Sequence, residues 1–91
     1  MIYLVTEEGV YRHRILGVYD TQEAAEARAI EVAGNEDGYH DYAVWSASMN
    51  AAMENPVEVC SFKRKCVSSK WPREYGPPYR IPAAPLPEGK Q

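Results

Sequence analysis

The sequence has no apolar run approaching the ~20 residues needed to cross a bilayer, and its mean hydropathy is −0.50. It has no basic stretch leading into an apolar one. Met1-Ile2-Tyr3-Leu4-Val5-Thr6-Glu7-Glu8 brings acids where a secretory leader would keep its hydrophobic segment. The expectation is a cytoplasmic protein with no membrane association. Cysteine is scarce: only Cys60 and Cys66 are present. Set six apart in one strand they would stand about 20 Å from each other, against the ~6 Å between Cα atoms that a disulfide requires. They read as two reduced, partly buried thiols. Histidine is as scarce. His13 and His40 fall at no metal-finger spacing, so neither a metal nor a cofactor is expected. The chain also lacks a glycine-rich phosphate loop, a G-x-S-x-G elbow, an H-E-x-x-H pair and a C-x-x-C pair. No catalytic residue can be assigned, and an enzyme is not expected.

What is present is an ordinary globular composition in 91 residues, 45% hydrophobic and 25% charged, with a net charge of −3. That length suits one domain with a thin core. Charge is uneven along the chain. Residues 1–50 hold nine acids and three bases, 3 − 9 = −6; residues 51–91 hold seven bases and four acids, 7 − 4 = +3. Such asymmetry points either to a charged partner or to an acidic solvated helix beside a basic strand end.

Residues 1–6 are rich in β-branched and aromatic types on both faces and predict a central strand. Glu7-Glu8-Gly9 reads as a turn with solvated acids, and Val10 to Tyr19 as the second strand of a hairpin. Ile15, Leu16 and Val18 would carry that strand into the core, and Gly17 would mark a bulge or a close approach. Asp20 and Glu23 have the spacing of a capping box. A helix is predicted from Thr21 to about Ala33, with Gly34 just past its end. Its apolar stripe, Ala25, Ala29, Val32 and Ala33, is mostly alanine. Large sheet residues must therefore supply most of the core. Tyr39 to Met49 reads as a third strand. Val57 to Val67 reads as a fourth, at the sheet edge because Lys63-Arg64-Lys65 breaks its alternation. Residues 50–56 fit either a helical turn or a wide loop. The predicted fold is α+β: ββαββ, a mainly antiparallel sheet with one helix packed on one face, over residues 1–70. Residues 71–91 form a proline-rich, aromatic-rich C-terminal tail, either disordered or laid on a surface as an extended arm ordered at least as far as Tyr79. Laid on a second copy, that arm would make a homodimer.

Three groups of residues bear on function. Arg12-His13-Arg14 could hold a phosphate, but alternation puts His13 on the opposite face from both arginines, and a solvated hairpin explains the group more simply. Lys63, Arg64 and Lys65, near tyrosine and tryptophan platforms, are what a single-stranded nucleic acid needs. They equally well protect an edge strand, and the negative net charge opposes a polyanion. Trp71, Arg73, Tyr75, Tyr79 and Arg80 are the residue types that dominate protein interfaces. Glu23, Glu26 and Glu31 give the helix an acidic face, which reads as solvated.

The pattern Ile2-Tyr3-Leu4-Val5-Thr6-Glu7-Glu8-Gly9, then Tyr11-x-x-x-Ile15-Leu16-Gly17-Val18-Tyr19-Asp20, then Gln22-Glu23-Ala24-Ala25-Glu26-Ala27, resembles small uncharacterised proteins encoded in bacteriophage genomes, especially those of actinobacterial phages. The resemblance covers about residues 1–33 and leaves out the proline-rich tail. It implies a phage accessory protein in the cytoplasm of an infected bacterium, acting without catalysis by binding a host or phage protein. Nucleic-acid binding through residues 63–65 is the alternative.

Overall fold

The computed structural model describes residues 1–9, 13–35, 40–48 and 56–83. Within them run β1 (Ile2–Glu8), β2 (His13–Tyr19), α1 (Gln22–Asn35), β3 (Asp41–Ala47), β4 (Val57–Lys63), β5 (Cys66–Ser68), β6 (Glu74–Tyr75) and β7 (Tyr79–Pro82). The fold is α+β. Five strands form an antiparallel sheet in the order β2-β1-β3-β4-β7, β5 and β6 form a separate two-stranded ribbon, and α1 covers one face of the large sheet. The opening order ββαββ is thus followed by three further strands. The ambiguous segment at 50–56 lies almost wholly outside the described residues, and Arg12 and the side chain of His13 from the arginine–histidine group lie outside them too.

β1 is central, as its two apolar faces require: Leu4 and Val5 point to opposite sides and both are buried. Alternation places Tyr3, Val5 and Glu7 on the helix side, opposite Ser46, Val44 and Tyr42 of β3. On the far side, Trp45 donates its indole N–H to the Thr6 hydroxyl at 2.9 Å. The helix starts one residue later than its capping pattern suggests. Thr21, not Asp20, is the cap: its hydroxyl accepts the Ala24 N–H at 3.2 Å, and its carbonyl accepts the Ala25 N–H at 3.2 Å. Gly34 lies inside the last turn instead of beyond it.

Ala25, Ala29 and Ala33 form the buried stripe of α1. Their small side chains bring the helix axis close to the sheet but bury little area. The sheet makes up the deficit with Val5, Tyr42, Val44, Cys60 and Phe62. Two bulges add to this. The β1–β2 register steps from Val5↔Gly17 to Thr6↔Ile15, and the β3–β4 register steps from Val44↔Cys60 to Trp45↔Glu58. Each step leaves one extra residue, Leu16 and Val59, and both pack against the helix-side core. The first bulge overturns the expectation for Ile15 and Val18. Leu16 takes the inward place, and its two apolar neighbours stay exposed. Gly17 does mark a close approach, but from within its own strand. A Cβ there would stand 2.6 Å from the Tyr19 hydroxyl oxygen, because the Tyr19 ring covers that position.

The predicted fourth strand is broken. β4 ends at Lys63, the chain leaves the sheet at Arg64, and Cys66 belongs to the ribbon. β4 is not an edge strand either. β7 pairs with it through Cys60↔Pro82, Ser61↔Ile81, Phe62↔Arg80 and Lys63↔Tyr79. The edge is β7, which ends on a proline that needs no ladder donor on its outer side. Residues 71–83 are built into strands and their connections.

Candidate functional site

Glu7 is the one buried charged residue among those described, at 1% exposure. It is not the solvated turn acid expected from its sequence, because β1 continues through Glu8 and carries Glu7 beneath the helix-side layer. Arg14 lies directly opposite on β2 and donates from Nε to Oε1 at 3.1 Å and from Nη2 to Oε2 at 3.3 Å. Tyr42, directly opposite on β3, donates its hydroxyl to Oε2 at 3.4 Å. One carboxylate therefore ties three adjacent strands together. A buried charge persists only when paired in this way. The forked arginine contact turns both carboxylate oxygens toward protein donors.

A second polar group joins the sheet edge to the helix. Arg80 of β7 donates from Nε to Glu26 Oε1 at 2.8 Å and from Nη2 to Oε2 at 3.4 Å, and Gln22 donates to the same Oε2 at 2.6 Å. The Arg80 hydrogen bond holds the Glu26 carboxyl below the usual carboxylate range, against the opposing effect of burial. Cys60 lies next to this pair on β4, fully buried. Burial pushes its thiol up, and the neighbouring Glu26 carboxylate pushes it further. A thiol held neutral and out of water is a poor nucleophile. Cys66, six residues on, is exposed, and both cysteines are free.

The third group is the ribbon. Where the chain leaves β4, Arg64 reaches across to its return limb. Nε donates to the Gly76 carbonyl at 2.7 Å and Nη2 to the Tyr75 carbonyl at 3.1 Å, with the guanidinium 5.9 Å from the Tyr75 ring centroid. Gly76 N–H donates to the Lys65 carbonyl at 2.8 Å. The base of a short two-stranded excursion is thereby closed. Its connection, residues 69–73, carries Lys70, Trp71 and Arg73 outward, and Trp71 is 81% exposed. The Trp71–Pro72 peptide is cis.

The residues singled out in the sequence are thus divided among different duties. Lys63 faces Asp41 at 3.4 Å, Arg64 closes the ribbon, and Lys65 stands 6.0 Å from the Tyr79 ring centroid. These three bases meet different partners. In the aromatic group, Tyr75 lies beside Arg64, Arg80 is bound to Glu26, and Trp71 and Arg73 share the ribbon tip. Glu7 was missed because two adjacent glutamates before a glycine look like a turn. The signal that could have found it was Arg14, placed where a hairpin would bring it opposite. Among the described residues, no group of three or more His, Cys, Asp or Glu could hold a metal ion, and no helix is long and apolar enough to cross a membrane. Compared with protein-family models, curated proteins and solved structures, the chain matches none.

Proposed function

We propose that the chain is a non-enzymatic protein–protein interaction module whose contact element is the ribbon at 64–76. The observation that carries this reading is Trp71, 81% exposed at the end of an excursion whose base is closed by Arg64. A large rigid side chain costs little rotamer entropy on binding and fills a pocket well, so an indole presented to water on a braced support suits an interface anchor. The Glu7 and Glu26 groups, by contrast, are internally bonded and offer no reacting atom. On the resemblance of residues 1–33 to phage-encoded proteins, such a module would be a phage accessory protein that binds a host or phage protein in the bacterial cytoplasm.

Nucleic-acid binding remains the second reading, favoured by the proximity of Lys65 to Tyr79. The engagement of Lys63 and Arg64 within the chain counts against it. The deciding experiment is affinity capture from bacterial lysate with the full chain and with Trp71→Ala. A protein that the full chain retains and Trp71→Ala releases supports the module. Retention unchanged by the substitution, or retention of nuclease-sensitive material alone, counts against it.

A further inference from the structure

The charged side chains of the body and of the ribbon differ in one respect. Arg14, Arg28, Lys63 and Arg80 each meet a carboxylate: Glu7, Glu31, Asp41 and Glu26. Lys70 and Arg73, on either side of Trp71, form no ion pair among the described residues. Residues 64–76 hold Arg64, Lys65, Lys70 and Arg73 against Glu74, 4 − 1 = +3, on a chain whose net charge is −3. The rest of the molecule therefore carries −3 − 3 = −6. A basic tip on an acidic body attracts an acidic surface tip-first and repels it elsewhere, so its charge also orients the encounter.

From this we infer that the ribbon binds an acidic protein surface, with Trp71 entering an apolar pocket and Lys70 and Arg73 meeting carboxylates on its rim; this rests on reading the ribbon as an interaction element. The geometry suits a pocket better than a polymer. A single strand of nucleic acid stacks on successive aromatic platforms, whereas the ribbon's other aromatic, Tyr75, lies at its base beside Arg64. One indole flanked by two cations matches the buried centre and charged rim of a small protein contact.

The test uses the full chain as bait against a displayed library of random peptides, followed by titration of synthetic copies of the recovered peptides. The expected peptides combine Asp and Glu with Leu, Ile or Val. They should bind about tenfold or more weakly to Trp71→Ala, more weakly to the Lys70→Glu, Arg73→Glu double variant, and equally to Arg28→Ala. Added salt should weaken them. Circular dichroism checks that the variants fold. Peptides that need Trp71 but show neither acidic bias nor salt sensitivity overturn the acidic partner and leave the interaction module standing. If no recovered peptide needs Trp71, the module falls too. Oligothymidine binding lost in Trp71→Ala, or concentration-dependent self-association lost in it, assigns the tip to nucleic acid or to a second copy and overturns the inference.

Discussion

At the residue scale, the two cysteines should behave as different chemical groups. Cys60 is sealed in the core beside Glu26, which raises its pKa, while Cys66 is exposed on the ribbon. Ellman's reagent should titrate one thiol rapidly in the native protein and both of the chain's two in denaturant; two fast thiols in the native protein would show that the β4 core is open to water. Glu26 adds a pH dependence. Its carboxyl binds a proton less readily in the folded chain than in the unfolded one, because Arg80 favours the charged form. Its contribution to stability is therefore complete above the ordinary value of 4.5 and is lost as pH falls below it, through the depressed folded value. Glu26→Gln should melt at a lower temperature than the parent at neutral pH, and the two should converge in acid. Parallel melting curves at all pH values would remove the clasp from the account.

At the element scale, the helix depends on small side chains. Ala29 is completely buried between α1 and the sheet, so Ala29→Leu should overpack that layer and cost about 1–3 kcal/mol in chemical denaturation. A neutral result would mean that the helix can lift without loss. Phe62, buried on β4, should cost about 3–5 kcal/mol when cut to alanine. Legibility also divides by element. The helix and the first strand were readable, since a 3.6-residue alanine stripe and an apolar strand with two buried faces each follow from local sequence. The thread was lost where the chain changes direction without glycine. Lys63-Arg64-Lys65 looks like a charged edge in one continuous strand, and only the Arg64 contacts to carbonyls eleven and twelve residues on show that it is a corner. β7 escaped notice because Tyr79-Arg80-Ile81 is short and enclosed by prolines, so its pairing with β4 is set by distant partners and not by local propensity. At the candidate site, the types of the exposed residues Trp71 and Arg73 are legible in the sequence, whereas the Arg80–Glu26 pair, 54 positions apart, is not.

For the whole molecule, the sheet needs its last strand. Ending the chain after Lys70 removes β6 and β7, leaves the β7-facing side of β4 unpaired and strips Arg80 from Glu26. The truncated protein should melt at a clearly lower temperature and aggregate as it unfolds, because an unpaired hydrophobic strand edge recruits other chains. An unchanged melting temperature would show β7 to be dispensable. The same placement of β7 has a consequence during biosynthesis. Its partner β4 is translated first, then the whole ribbon. At ~5–20 residues per second, roughly 1–4 s pass before the ~20 residues that complete the sheet have been made. Closure of the sheet therefore waits on the last strand, and until β7 docks, β4 presents an open β edge containing Cys60 and Phe62.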